Sequence, residues 1–201
     1  TSNAKVSYLT TATVTLSPTD ELSGAASTQW RVDGGEWQNG TSATVPYVIG
    51  ERLLEWRSTD IAGNIEEIKN TTIQMLRRFE QEDPALAYNK TWNLLSGVNW
   101  SGGSERYTDV SGAYVDIAFE GTHVELITLL GSQNGIAKIT LDGGEPILVD
   151  LYASSWQFKK VVWSATGLTA GTPTLRIERT GTKSPASSST MIRIDAIDVA
   201  G

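Results

Sequence analysis

The sequence contains no cysteine and a single histidine, His123. The first absence removes disulfides, thiolate nucleophiles and zinc–thiolate centres, and the second removes any metal site built on two imidazoles. Long apolar runs are missing too. Nothing approaches the roughly 20 residues of a membrane-spanning helix, and no basic region followed by an apolar stretch marks a signal peptide, so membrane insertion is not expected. Net charge is −7, with 16 Lys and Arg against 23 Asp and Glu. The basic residues are dispersed, which disfavours nucleic acid and anionic lipid as partners.

Helical periodicity is also missing, since no segment keeps it for three turns. What recurs instead is short apolar alternation between turn signals, which predicts an all-β chain. Val115, Ile117 and Phe119 share one strand face, with Tyr114, Asp116 and Glu120 on the other. Leu175 and Ile177 alternate with Thr174, Arg176 and Glu178, and Leu54 and Trp56 with Glu55 and Arg57. Asp-Gly-Gly-Glu occurs twice, at Asp33–Glu36 and Asp142–Glu145, each time directly after a strand-like run. Asp-Gly supplies the positive φ angles of tight hairpins, so the two copies predict two similar hairpins. The strand pattern closes at Met75 and a fresh strand starts at Phe79. This predicts a boundary near Arg77, giving units 1–76 and 77–201 with no Pro- or Gly-rich linker between them.

Aromatic residues among small polar ones mark the candidate site. In the stretch Thr91–Tyr107, TWNLLSGVNWSGGSERY, two tryptophans and a tyrosine sit among glycines, serines and asparagines. Such loops stack flat ligands and bond their hydroxyls. Trp92 is expected to pack in a core, Trp100 to lie in a loop, and Tyr107 to stay near it. Trp163, in KKVVWSA, has strand periodicity and reads as packing. Trp30, Trp37 and Trp56 read as core or hairpin residues of the first unit.

The first unit resembles the bacterial Ig-like repeats that act as spacers in secreted and surface proteins. The matching elements are Asp20 with Ser23-Gly24, Trp30, Val32, Asp33-Gly34-Gly35 before Trp37, Gly50, and Ser58 to Glu66. Within the last of these, Ala62-Gly63-Asn64 can turn tightly while Asp60 bonds turn amides.

The second unit presents Glu80-x-Glu82, the aromatic-Ser-Gly-Gly at Trp100–Gly103, a Leu-x-x-Gly turn and a closing Ile-Asp-x-Ile strand. In that order these resemble the carbohydrate-binding modules of the family 6 and family 35 type, which share the galactose-binding jelly-roll fold. The resemblance implies a structural calcium held by Glu80, Glu82 and Asp195. Asp195 is in phase with Ile197 and Val199 but out of phase with Ile192 and Ile194, which a bulge at Asp195 would reconcile. The resemblance also favours three ligand loops: Trp100–Tyr107, Tyr152–Trp156 and Gly181–Ser189. Their candidate sugar contacts are Trp100, Arg106, Tyr107, Tyr152, Trp156 and Lys183, with Asn99 as a further hydrogen-bonding side chain.

Catalysis is not expected. A Ser-His-Asp triad would need His123, and no Gly-x-Ser-x-Gly elbow is present. A carboxylate pair for glycoside hydrolysis leaves no local signature, but small tandem β-units without His or Cys chemistry are more often accessories. The expected whole is an Ig-like β-sandwich followed by a jelly-roll, monomeric within a longer multidomain chain. It would be a non-catalytic part of a secreted or cell-surface bacterial protein such as a glycoside hydrolase, and its partner a poly- or oligosaccharide. The rival reading is a structural or adhesive array that binds protein and no sugar.

Overall fold

A computed structural model describes residues 1–18 and 25–201, so Asp20 and Ser23-Gly24 lie outside the described residues. The chain is all-β, and among the described residues nineteen strands accompany a single 3-10 turn, Ser101–Gly103. It divides into two compact units, Thr1–Arg77 and Arg78–Val199.

The first unit contains β1 (Ser7–Tyr8), β2 (Ala12–Thr15), β3 (Ala25–Val32), β4 (Gln38–Asn39), β5 (Ser42–Val45), β6 (Gly50–Asp60) and β7 (Lys69–Met75). A five-stranded sheet in the order β1-β7-β6-β3-β4 faces the β2-β5 pair. Alternation puts Ala12, Val14, Ala43 and Val45 of the small sheet against Leu54, Trp56, Ile73 and Met75 of the large one. Trp30 and Trp56 are directly opposite each other on β3 and β6, and both are buried. Trp37 is half-buried, flanked by the guanidinium groups of Arg31 at 4.6 Å and Arg57 at 4.3 Å. The Asp60 carboxylate accepts both the Asn64 amide and the Asn64 side chain, each at 2.8 Å, and so closes the turn after β6.

The second unit opens with β8 (Arg77–Glu80), β9 (Ala87–Tyr88), β10 (Asn93–Ser96) and β11 (Ser104–Thr108), followed by β12 (Tyr114–Ala118), β13 (His123–Leu130), β14 (Ile136–Leu141) and β15 (Ile147–Asp150). It closes with β16 (Gln157–Thr166), β17 (Thr174–Arg179), β18 (Ile192–Ile194) and β19 (Ala196–Ala200). One sheet runs β15-β14-β17-β12-β9. The opposing layer combines β16-β13-β19-β8 with β10-β11-β18, because β18 and β19 are one chain run interrupted only at Asp195. The Asp195 amide donates to the Ile127 carbonyl of β13 at 3.1 Å, so β13 carries the pairing across the break. Val115, Ile117, Ile139, Leu175 and Ile177 from one sheet meet Val124, Leu126, Ile192, Ile194, Ile197 and Val199 from the other layer in a single core. Trp92 is buried against it with its ring edge-on to Tyr88 at 5.1 Å, and Trp163 packs at its margin.

Both Asp-Gly-Gly copies perform one structural task. Asp33 and Gly34 have φ of 51° and 69°, and Asp142 and Gly143 of 50° and 65°, the double positive φ of a tight hairpin turn. Each aspartate also reaches beyond its own hairpin. Asp33 Oδ1 accepts the Leu53 amide of β6 at 2.8 Å, and Asp142 Oδ1 accepts the Thr174 amide of β17 at 2.7 Å. The turn is thereby fastened to the neighbouring strand in each unit. Asp142→Ala is expected to destabilise the protein by about 1–2 kcal/mol in chemical denaturation, while Asp142→Asn, which keeps the acceptor and tolerates the left-handed backbone, loses clearly less.

Candidate functional site

Ile192 and Ile194 point into the core, so the alternation of β18 turns Arg193 to the outer face of its layer. Tyr107 of β11 stands directly opposite Arg193, and Glu105, two residues earlier on β11, shares that face. Arg193 is 4% and Glu105 0% exposed, a buried ion pair through Arg193 Nη1 and Glu105 Oε1. Asn134, itself buried, accepts Arg193 Nε at 3.0 Å and donates to the Leu129 carbonyl at 2.7 Å. The guanidinium carbon lies 5.3 Å from the ring centres of both Tyr107 and Trp156. Two aromatic faces and one amide thus fix the cation in place.

Trp156 belongs to the loop between β15 and β16 and remains 45% exposed. Its ring rests over Gly131, where a Cβ would come within 3.8 Å of it, and lies 6.2 Å from Phe158 at an interplanar angle of 23°. Phe158 in turn meets the ring of Trp100 edge-on at 4.7 Å. The pairing Thr128–Lys160 is followed by Leu130–Gln157, so β16 holds an extra residue here. Lys159 absorbs it with φ of 53°, left-handed backbone that costs a non-glycine residue roughly 1 kcal/mol. The resulting bulge directs the aromatic residues before it along the outer face.

Three loops meet beside Trp156. Leu151 and Ala153 exchange backbone hydrogen bonds with Gly131 and Gly135 at 3.0–3.3 Å. Ser187 Oγ donates to the Asn134 carbonyl at 2.7 Å, and the Ser188 amide to the Ser132 carbonyl at 2.9 Å. Gly135 is required at this junction, because a Cβ would sit 2.7 Å from the Thr182 oxygen and Thr190 backbone.

The predicted sugar contacts divide accordingly. Tyr107 and Trp156 come together on Arg193, while Tyr152 and Lys183 lie in the joined loops. The Lys183 ammonium donates to the Ser187 carbonyl within its own loop. Trp100 is 7% exposed and supports Phe158, so it is a packed residue and not an open loop platform. Arg106 follows Glu105 along β11 and therefore projects to the opposite face, where its guanidinium sits 5.2 Å over Tyr88 and donates to the Trp92 carbonyl at 3.4 Å. Period two thus separates Arg106 from Tyr107. Arg193, Glu105, Asn134 and Phe158 were not foreseen. Their signal was an arginine between two isoleucines and a glutamate in phase with a tyrosine.

A second polar cluster adjoins the first through Trp100. The 3-10 turn brings the Ser101 amide to Asp195 Oδ1 at 2.7 Å and its hydroxyl to Glu80 Oε1 at 2.9 Å. Arg78 donates to the same hydroxyl at 3.0 Å and pairs both oxygens of Asp198 at 2.6–2.7 Å. Glu80 Oε2 and Asp195 Oδ2 are buried without a partner, and a Cβ at Gly102 would lie 3.0 Å from the Glu80 carboxyl. Two orphaned oxygens on carboxylates that both bond Ser101 are suitable donors for a hard cation. Glu82 is not among them. Strand β8 ends at Glu80, the alternation that would align Glu82 stops, and its carboxylate is 52% exposed and 3.7 Å from Arg106. Among the described residues no group of three or more acidic or His side chains is placed to hold a metal.

Burial pushes Glu105 up to about 7 against the opposing charge of Arg193. Burial also raises Asp195 to about 6, opposed by the Ser101 amide and reinforced by the charge of Glu80.

No family model matches the sequence, and no curated protein sequence is significantly similar to it. Solved structures are similar at low identity. A two-domain esterase active on acetylated mannans, co-crystallised with mannopentaose, is 10% identical over 63% of this chain and 37% of its own, with a TM-score of 0.46. A Paenibacillus xanthan lyase is 14% identical over 100% of this chain and 22% of its own, with a TM-score of 0.48. A family 35 carbohydrate-binding module from Clostridium thermocellum is 19% identical over 62% of this chain and 98% of its own, with a TM-score of 0.39. The chain thus spans about a third of the length of the esterase, the first of these structures.

Arg193→Ala, which strands Glu105 as a buried charge, is expected to cost about 3–5 kcal/mol in denaturant unfolding, and the Arg193→Met/Glu105→Met double variant less than that. Glu105 and Asp195 hold their protons more tightly folded than unfolded. In chelator, stability should therefore fall as pH rises from about 4 through about 7. Glu105→Gln should flatten that slope, as read by melting temperature across the same range.

Proposed function

We propose that the second unit binds poly- or oligosaccharide at the Trp156 face and that the chain is a non-catalytic accessory region of a larger secreted or cell-surface bacterial protein, a glycoside hydrolase, with the first unit as an Ig-like spacer. The observation that carries the reading is Trp156, left 45% exposed where three cross-linked loops converge over a buried arginine. An aromatic surface beside fixed hydroxyl and amide groups suits a pyranose, whose C–H faces stack while its hydroxyls bond. One ring contributes about 0.5–1.5 kcal/mol beyond area burial, so a single module binds weakly and gains from avidity in a longer chain.

Binding is favoured over hydrolysis because Glu105 and Asp195 are both 0% exposed and present no carboxylate to a substrate. His123, the one histidine, contacts Glu125 at 3.1 Å on β13. Calcium belongs to the same proposal, with Glu80 and Asp195 as its carboxylate ligands. When bound it would neutralise two buried charges, while Ser101 holds both carboxylates in position through its amide and hydroxyl.

On a glycan array the protein should bind sugars, and Trp156→Ala should remove that signal with the fold intact by circular dichroism. Silence across plant, microbial and animal glycans would refute the reading. Mixed polysaccharides should yield no reducing ends. Terbium added to chelator-treated protein should give luminescence sensitised by Trp100, lost in Asp195→Asn, and calcium should raise the melting temperature more at pH 7.5 than at pH 5.

A further inference from the structure

The sheet across the core from Trp156 carries a hollow on its own outer face. On β12, β17 and β14 the residues between the core positions point outward, which sets Asp116, Arg176 and Thr140 side by side on three neighbouring strands. Together with Thr174 and Gly143 they line an open hollow of about 240 Å³. Its side chains are within reach of a ligand, since Arg176 is 43% and Asp116 27% exposed and Thr174 is exposed. The polar groups are fixed in place but not used up. Arg176 donates Nε and Nη2 to the two oxygens of Asp116, each at 2.7 Å, and its guanidinium lies 3.9 Å from the centre of the Tyr114 ring. Arg176 Nη1 and the Thr140 and Thr174 hydroxyls bond to nothing among the described residues, and each Asp116 oxygen keeps a lone pair.

Resting on the reading of this unit as a sugar-binding one, we infer that the hollow is a second site, for one ring of a neutral sugar, whose hydroxyls bond Arg176, Asp116 and the two threonines. Opposite charges that cancel favour a neutral ligand, and donors beside acceptors at fixed spacing favour one with neighbouring hydroxyls. The size agrees, being below the roughly 300 Å³ at which pockets begin to enclose drug-sized ligands. The core separates the hollow from Arg193 and Trp156, so a sugar seated on Trp156 leaves it open. The two sites also differ in kind. Trp156 offers a ring to stack on, whereas the Tyr114 ring is taken by Arg176. The hollow therefore binds through hydrogen bonds, too weakly to survive the washes of a glycan array.

Backbone-amide NMR titration of the unaltered protein follows both places at once. The probes are neutral gluco-, manno-, galacto- and xylo-oligosaccharides, with glycerol at equal concentration as a control polyol. At least one oligosaccharide should shift the amides of Asp116, Thr140, Gly143, Thr174 and Arg176 to saturation, and glycerol should not. In Trp156→Ala the affinity of the hollow should stay within twofold while the shifts around position 156 vanish. In Asp116→Thr/Arg176→Thr, which removes both charges together and keeps strand-forming residues, that affinity should fall at least tenfold while binding at Trp156 stays within twofold. Shifts confined to the Trp156 face, equal shifts with glycerol, or hollow shifts that disappear in Trp156→Ala would overturn the inference and leave sugar binding at Trp156 standing. Shifts at the hollow alone would uphold it and overturn Trp156 as the sugar face. Shifts at neither place would overturn the inference together with the reading it rests on.

Discussion

The last strand of the second unit cannot run straight, and the arrangement of its outer face follows from that. Ile192 and Ile194 must face the core, and so must Ile197 and Val199, which puts the two halves one residue out of phase. The chain resolves the conflict at Asp195, where β18 ends and β19 begins. Asp195 keeps its amide on β13 and sends its carboxylate to the outer face, where the Ser101 turn meets it. Before the break the strand pairs with β11 and after it with β8, so a single residue joins two otherwise separate pairings.

That geometry assigns the two faces of the layer opposite duties. Inward, isoleucines and valines of the closing strand pack against the other sheet and supply the apolar stability. Outward, Arg78 with Asp198, Glu80 with Asp195, and Arg193 with Glu105 form a row of partly desolvated charges. Replacing such pairs by packed apolar groups is often neutral or stabilising, so their presence argues for a role other than stability. Three carboxylate oxygens in the row have no protein partner. The Trp100, Phe158 and Trp156 rings run alongside, and the Lys159 bulge in β16 sits at their centre. The local backbone strain of this layer thus lies beside its unmatched polar atoms.

Strand faces were legible because alternation is a local property. Val115, Ile117, Phe119, Leu175, Ile177, Leu54 and Trp56 are all buried, as their period requires. The Asp-Gly-Gly turns were legible for a similar reason, since few residues accept two consecutive positive φ angles. Their second task was not, because the Leu53 and Thr174 amides are 20 and 32 residues away. The phase slip near Asp195 was visible as well, but the partner it reaches was not. Trp100 shows the opposite error. Its glycine- and serine-rich neighbours suggested exposure, yet those residues form the compact turn that lets the ring pack on Phe158.

The all-β class, the facing of individual strands and the tight turns are properties of a few consecutive residues, whose backbone sterics and side-chain period do not depend on distant partners. Which polar residues meet is settled at long range. Arg193 is 88 residues from Glu105 and 59 from Asn134. Glu82, two residues from Glu80, is separated from it because a strand ends between them. Contact across that distance is set by sheet order and register, which arise when the whole core packs and leave no imprint on any short stretch of sequence.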